Sequence, residues 1–358
     1  MIYEAPKHIA EKQGFLILSA DRVVGKWESG ILTIDDENLA PMYLVNTGDF
    51  IRWLELRAID HHRANSRLLK KALRLADRDD VCTVISVNAA TITDNYWIKT
   101  FDSKLAYSDV RFDNDYFARL AFHGDYGSFN RMANSNEKHT PELTNIGSFE
   151  KCWVLRRDGW WMVKSADRLQ RFSEIFIYEL GNYLQFNMAE YIPGNKSVMT
   201  HDFTLNGKYN FEPAYSFMGD NEDYIEVVEK LREIAPHAVR DYICMIFLDT
   251  IIANPDRHTF NFGLLRDALT GEIISLAPNF DNNMALIARG YPREISRKND
   301  TLARYFNELL VYDPSLRKHI PQITEGDIRA VLSKIKIRIR SETVIQYVMN
   351  GINLIKRC

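Results

Sequence analysis

The spacing of apolar and polar residues changes twice along the chain. In its first part, strand-like spacing is followed by helical spacing. Residues 15–45 carry short apolar runs separated by polar residues and glycine, which predicts a small antiparallel β unit. Thr47 or Asp49 can cap the helix that follows, because apolar residues recur at helical spacing immediately after them. We therefore predict an α/β subdomain over residues 1–112.

The middle of the chain begins with a polar stretch. Residues 124–148 are rich in Gly, Ser and Asn, which predicts a linker or mobile loop. The sequence CWVLRRDGWWMVK then alternates around an Asp-Gly turn, which predicts a β-hairpin whose second strand ends at Lys164. A helix over residues 173–186 and a strand over 197–205 should follow. This order suits a small nucleotide-binding lobe, predicted over residues 113–222.

The helical period dominates beyond residue 223. Three helices are predicted near the end of the chain, over residues 301–311, 325–338 and 341–356. We therefore predict a helical lobe over residues 223–358. The expected fold class is α+β, with a two-lobed, protein-kinase-like arrangement of a β-rich small lobe and a mainly helical C-terminal lobe. The N-terminal α/β subdomain would be an addition to it.

Composition and charge narrow the possible partners. The chain has 358 residues, 46% of them hydrophobic, which is enough for two or three lobes. Its 45 basic and 48 acidic residues give a net charge of −3, so no overall positive field favours nucleic acid or anionic lipid. The basic stretch over residues 63–78 is predicted to be an amphipathic helix with a solvated face, with DNA contact as the alternative.

The cysteines point to a reducing compartment. They lie far apart without metal-ligand spacing, which favours reduced thiols and a cytoplasmic location; they are Cys82, Cys152, Cys244 and Cys358. No apolar run approaches 18 residues, so we expect no membrane span.

The stretch NPDRHTFNFG, residues 254–263, carries the first chemical signal. Asp256 and Asn261 have the five-residue offset of a kinase catalytic loop, in which the Asp accepts the proton of the attacking hydroxyl and the Asn binds metal. Asp281, in LAPNFD, is a second oxygen ligand suited to Mg²⁺. Arg257 either pairs with a phosphorylated loop or braces Asp256. His258 is expected to be structural.

A lysine and a glutamate complete the pattern. Lys164, at the end of the predicted hairpin, is placed to contact the α- and β-phosphates of ATP, with Glu174 or Glu179 from the next helix to orient it. A motif such as DRHTFN alone would usually be a surface turn. Its occurrence in order with Lys164 and Asp281 favours phosphotransfer.

The segments NPDRHTFNFGLL, LAPNFD and TNIGSFEK resemble the HipA-type serine/threonine kinases over residues 140–350. The resemblance implies a glycine loop (residues 147–151, with Gly147), a catalytic loop (residues 254–261) and a metal motif (residues 278–281). It also implies Lys164 as the ATP lysine, Glu174 as its helix partner, and an adenine-binding hinge that includes Thr200 and Asp202.

The same resemblance implies a function. ATP and Mg²⁺ would be the cofactors, and a protein carrying a Ser or Thr acceptor would be the substrate. A growth-inhibiting toxin with a small antitoxin partner is implied as well. Self-phosphorylation is expected at Thr144 first and Ser148 second, as an off switch. Two alternatives stay open: a small-molecule kinase, and a DNA-associated or antitoxin-binding regulatory module that uses residues 1–112 and the basic helix at 63–78. As a partner of the kinase itself, DNA is expected only indirectly if at all.

Overall fold

A computed structural model describes residues 13–76, 78–125, 127 and 139–355. The chain forms two compact units. Unit 1 comprises the chain up to Ser165 together with His201–Glu212 and Leu265–Ile274, and unit 2 comprises Ala166–Thr200, Pro213–Leu264 and the chain from Ser275 onward. The three-segment division expected from the sequence stays a prediction. In the polar stretch predicted at 124–148, residues 126 and 128–138 lie outside the described residues.

Unit 1 begins with an antiparallel sheet of order β3-β2-β1-β4. Its strands are β1 (Phe15–Ser19), β2 (Arg22–Glu28), β3 (Ile31–Ile34) and β4 (Tyr96–Lys99). Four short helices lie between β3 and β4 in sequence: α1 (Met42–Thr47), α2 (Phe50–Glu55), α3 (Ser66–Ala72) and α4 (Asp80–Ile85). Asp49 caps α2 by accepting a hydrogen bond from Arg52 N at 2.8 Å. The predicted β unit and its capped helix are confirmed.

The second part of unit 1 is built around the predicted hairpin. Helices α5 (Tyr107–Val110) and α6 (Ala118–His123) precede β5 (Lys151–Arg156) and β6 (Gly159–Ser165). The two strands pair in register from Lys151 opposite Lys164 to Arg156 opposite Gly159, so the Asp-Gly turn is confirmed. Trp153 and Trp160 pack with Trp97 in one apolar core.

Unit 2 is mainly helical. Helix α7 (Arg168–Tyr183) is followed by the antiparallel pair β7 (Tyr191–Pro193) and β8 (Ser197–His201). The remaining helices of this unit are α8 (Tyr215–Met218), α9 (Tyr224–Ile234), α10 (Val239–Ile252), α11 (Thr301–Tyr312), α12 (Glu325–Lys334) and α13 (Ser341–Leu354). Strands β9 (Tyr209–Pro213), β10 (Gly263–Asp267) and β11 (Ile273–Leu276) lie where the chain passes from one unit into the other.

Helix α10 is the centre of unit 2. Twelve of its fourteen residues are buried, so it is internal rather than amphipathic. Phe247 packs against Phe306 of α11 and Phe186, with ring centroids 6.1 and 6.2 Å apart. The helix ends at Ala253, whose left-handed backbone (φ 53°) turns the chain into the catalytic loop. Within the described part of the chain, every helix is too short or too polar to span a bilayer.

The basic stretch differs from its prediction. Among the described residues of this stretch, the helix covers Ser66–Ala72 alone. Arg63 is 2% exposed rather than solvated. Lys70 donates to Asp80 Oδ1 at 3.1 Å. The prediction of a solvated face is therefore wrong for Arg63, because this side chain finds backbone acceptors inside unit 1 that hydrophobic periodicity cannot reveal.

Candidate active site

Hydrogen bonds within the catalytic loop bring Asp256 and Asn261 together. The Asn254 side chain accepts from Asp256 N at 3.2 Å, and Asn261 Nδ2 donates to Asp256 O at 2.7 Å. Asn254 is held in turn by Asp249 of α10, whose Oδ1 accepts from Asn254 Nδ2 at 2.8 Å. The amide nitrogen of Asn261 is thus used by the loop itself, which leaves its oxygen as the atom suited to a metal.

Arg257 joins the catalytic loop to the metal motif. Its guanidinium forms a two-point pair with Asp249, Nε to Oδ2 at 2.8 Å and Nη2 to Oδ1 at 3.0 Å, with both side chains buried. It also donates to four acceptors in the two loops and the residue after them: Asn261 O (2.8 Å), Phe280 O (2.6 Å), Asn279 Oδ1 (2.8 Å) and Asn282 Oδ1 (2.7 Å). These contacts tie the catalytic loop to the metal motif and to Asp249. The two roles expected for Arg257, bracing Asp256 or pairing with a phosphorylated loop, stay predictions.

The metal motif is anchored from two other elements of unit 2. Asp281 N donates to the Tyr191 hydroxyl at 2.9 Å, and Asn282 N donates to Glu174 Oε2 at 3.1 Å. Asp281 has a left-handed backbone with φ of 58°, which is uncommon outside glycine and is tolerated best by Asp and Asn. This conformation and the two anchors fix the direction in which the chain leaves the motif.

The two candidate glutamates of α7 differ in their surroundings. Glu174 is fully buried and accepts from the backbone of residue 282. Glu179 is partly exposed and lies 4.0 Å from Lys334 Nζ of α12. Burial and partners distinguish the two residues, and the pairing of Glu174 with Lys164 stays a prediction.

In unit 1, Lys164 lies on β6 with 6% of its surface exposed, and it is the cross-strand neighbour of Lys151. A Cβ at position 147 would meet the ammonium of Lys151, which is the end of a flexible side chain and can shift. Gly147 also has a φ of 103°, which L-residues rarely adopt. The backbone conformation therefore favours glycine at this position of the glycine loop.

The two candidate phosphorylation sites differ in accessibility. Thr144 is 5% exposed and its hydroxyl donates to Ala90 O at 2.7 Å, whereas Ser148 is exposed. Modification of Thr144 therefore requires this segment to leave its place. Ser148 is the more accessible of the two, and the order in which they are modified stays a prediction.

A buried carboxyl that the sequence did not single out lies beside the glycine loop. Glu142 accepts from Trp153 N at 2.7 Å and from Asn145 Nδ2 at 3.1 Å. Burial raises the pKa of Glu142 to about 7. The sequence offers one weak signal for Glu142, which is that a charged residue stands just before a loop containing Asn and Gly.

The predicted hinge residues are placed differently from each other. Thr200 lies in β8, opposite Tyr191. The Asp202 carboxylate accepts from Thr204 N at 2.9 Å, Thr204 Oγ1 at 2.7 Å and Asn206 N at 3.0 Å. Burial raises the pKa of Asp202. Its side chain therefore organises a local turn, and any contact of this residue with adenine would have to come from its backbone.

No protein-family model and no curated protein matches the chain. Solved structures do match. HipA of Shewanella oneidensis MR-1, solved with HipB and its operator DNA, superposes with a TM-score of 0.62 at 11% identity, over 95% of this chain and 96% of that one. The chain has the fold of the HipA-type kinases. This likeness extends through both units and confirms the α+β class and, at the level of the fold, the resemblance carried by the three motifs.

A second solved structure is similar over part of the chain. It is the Helicobacter pylori proinflammatory kinase CtkA, with a TM-score of 0.44 and 17% identity, over 57% of this chain and 90% of that one. Identities this low identify the HipA-type fold alone. What the chain does must be argued from its own residues.

Proposed function

We propose that this protein is an ATP- and Mg²⁺-dependent kinase that transfers the γ-phosphate to a Ser or Thr hydroxyl of a protein substrate. One observation carries the proposal: Arg257 ties a loop bearing Asp256 and Asn261 to a motif bearing Asp281, in a HipA-type fold. Burying a charged side chain costs stability unless it is paired and hydrogen-bonded. A loop that only connected α10 to β10 would therefore have no need of the buried guanidinium of Arg257.

The donor groups fit a magnesium nucleotide. Asp281 and Asn261 offer carboxylate and amide oxygens, which Mg²⁺ prefers over nitrogen and sulfur. When bound, the metal would neutralise charge on the phosphates. Asp256 would accept the proton of the acceptor hydroxyl as it attacks, and Lys164 would bind the phosphates. Glu174, which already holds the backbone after Asp281, would orient Lys164.

Nucleotide binding should depend on the metal. At about 100 times its dissociation constant, MgATP should stabilise the fold by ~2.7 kcal/mol. Asp281→Asn keeps the shape and the left-handed backbone but removes the charge, so the stabilisation should largely disappear, as it should in EDTA. Thermal melts with and without MgATP measure it, with Asp220→Asn, an exposed site, as control. If MgATP raised the melting temperature of Asp281→Asn, and of the wild-type protein in EDTA, as much as that of the wild-type protein with Mg²⁺, the metal assignment would be wrong.

We also propose that the kinase modifies its own glycine loop, and the exposed Ser148 is the first acceptor on geometric grounds. A phosphate there adds nearly two negative charges where ATP phosphates would lie, which should weaken nucleotide binding by repulsion. Intact mass after incubation with MgATP should show one added phosphate that is lost in Ser148→Ala. A phosphate lost only in Thr144→Ala would restore the order expected from the sequence.

Partners are proposed by analogy with the similar fold. The Shewanella HipA was solved with HipB and operator DNA, and we propose a small antitoxin partner here, a role as a growth-inhibiting toxin and a cytoplasmic location. DNA contact would be indirect, since Arg63 and Lys70 of the basic stretch are engaged within unit 1. Labelled ATP with a cell extract distinguishes a protein substrate from a small molecule.

A further inference from the structure

A short segment of the N-terminal region, residues 59–65, contacts both ends of the glycine loop. Ile59 N donates to Leu143 O at 2.9 Å, just before the loop. Asp60 Oδ1 accepts from His62 N at 2.8 Å and closes the turn that delivers the next two contacting residues. All of these residues belong to unit 1, although about eighty positions of sequence separate the two segments.

Arg63 spans the loop. Its Nη1 donates to Asn145 O at 2.9 Å, and its Nη2 donates to Lys151 O in a very short contact. These two carbonyls lie on either side of Gly147. The Arg63 residue is only 2% exposed. Burying a guanidinium is costly unless it is hydrogen-bonded, and here two of its nitrogens hold the backbone entering and leaving the loop.

Asn65 holds a side chain of the loop. Its backbone nitrogen donates to Glu150 Oε1 at 3.3 Å and its Nδ2 to Glu150 Oε2 at 3.2 Å. The same Nδ2 donates to Ala121 O and Phe122 O, each at 3.2 Å, in helix α6. Asn65 therefore connects the loop to a helix as well as to the turn.

We propose that Arg63 and Asn65 are positioning residues that preorganise the glycine loop for nucleotide phosphates. Residues 146–150 lie between the two fixed carbonyls, and 146–148 of them are exposed. A loop of this kind without such fixation would have to be ordered when nucleotide binds. Conformational freedom lost on binding lowers affinity. Fixing the loop beforehand removes that loss, so the residues that fix it should act on nucleotide affinity without touching nucleotide. The inference rests on the proposed kinase function for its effect on ATP.

Two variants and a matched control test this role. Arg63→Lys keeps the charge but cannot reach two carbonyls with one planar fork. Asn65→Ala removes the side-chain bonds to Glu150 and to helix α6 and keeps the backbone bond to Glu150. Arg57→Lys is the control, because Arg57 is a buried arginine of the same unit whose hydrogen-bond partners, Asp94, Ala89 O and Tyr96 O, lie outside residues 145–151. Amide hydrogen exchange is measured over residues 145–151, and the MgATP dissociation constant by calorimetry.

We expect loop exchange to rise about tenfold in Arg63→Lys and Asn65→Ala, with a roughly tenfold weaker MgATP affinity, equal to ~1.4 kcal/mol. Arg57→Lys should change both by less than about twofold. Wild-type exchange in both loop variants, or an equal rise in the control, overturns the inference. If Arg63→Lys does not fold, Asn65→Ala decides alone. Should the wild-type protein fail to bind MgATP, the kinase proposal falls, and the exchange data still decide whether the loop is held.

Discussion

Asp256→Asn is expected to lower the rate of phosphotransfer by at least ~10²-fold, the lower end for loss of a general base, while ATP affinity changes by no more than a few fold. The structure supports this separation. The backbone of residue 256 is fixed through Asn254 and Asn261, so the loop should keep its conformation when only the side chain loses its negative charge and its ability to accept a proton.

Phosphotransfer and binding are measured apart. Labelled ATP with a cell extract reports the rate, and the thermal shift with MgATP reports binding. Asp220→Asn makes the same chemical change at an exposed position and should leave both unchanged. Full activity in Asp256→Asn would contradict the catalytic role, whereas loss of binding together with rate would assign Asp256 to the nucleotide site instead.

Arg257→Met should have the largest effect on stability. The change leaves Asp249 buried without its cation and removes the donors to the four other acceptors in unit 2. Removing one partner of a buried ion pair typically costs about 3–5 kcal/mol. We expect a loss of that size in the free energy of unfolding, measured by urea denaturation. Activity should disappear as well, because the catalytic loop and the metal motif lose their common anchor.

A control and a double variant test whether the stability loss in Arg257→Met comes from the unpaired charge of Asp249. Arg304→Met removes an exposed arginine 4.0 Å from Glu308, and should cost less than ~1 kcal/mol. Adding Asp249→Asn to Arg257→Met removes the uncompensated charge. The double variant should therefore be more stable than the sum of the single losses predicts, by roughly 0.5–3 kcal/mol. Simple additivity would show that Arg257 stabilises the fold through its other contacts and not through Asp249.

Local signals in the sequence predicted the elements well, and partners distant in the chain were not predictable. The Asp-Gly hairpin and the cap at Asp49 follow from neighbouring residues, and both are confirmed. The pairing of β1 with β4 joins segments far apart, and alternation does not specify a partner strand. Helix α7 starts at Arg168, earlier than expected, because Asp167 and Gln170 form a capping box. That signal was present in the sequence.

In the candidate active site as well, features set by local sequence were predictable and partners distant in the chain were not. The motif spacing pointed to Asp256, Asn261 and Asp281, whereas the anchors Asp249 and Tyr191 were missed. One signal for Asp249 existed: it is the single acid in the apolar run CMIFLDTII, where an unpaired carboxylate would be too costly to bury. Nothing in the sequence around Tyr191 relates it to residue 281, since only folding brings the two together.

The left-handed backbone at Asp281 limits which substitutions can be interpreted there. An L-residue with an ordinary side chain loses roughly 1–2 kcal/mol in this conformation, so Asp281→Ala would remove the proposed metal ligand and strain the chain at once. Asn tolerates the same backbone and has nearly the same volume. Alanine scanning would therefore overstate the role of position 281 in binding, while Asp281→Asn isolates the charge. Asp281→Gly would remove the side-chain oxygen completely and relieve the backbone strain, so its stability would measure the cost of the left-handed conformation.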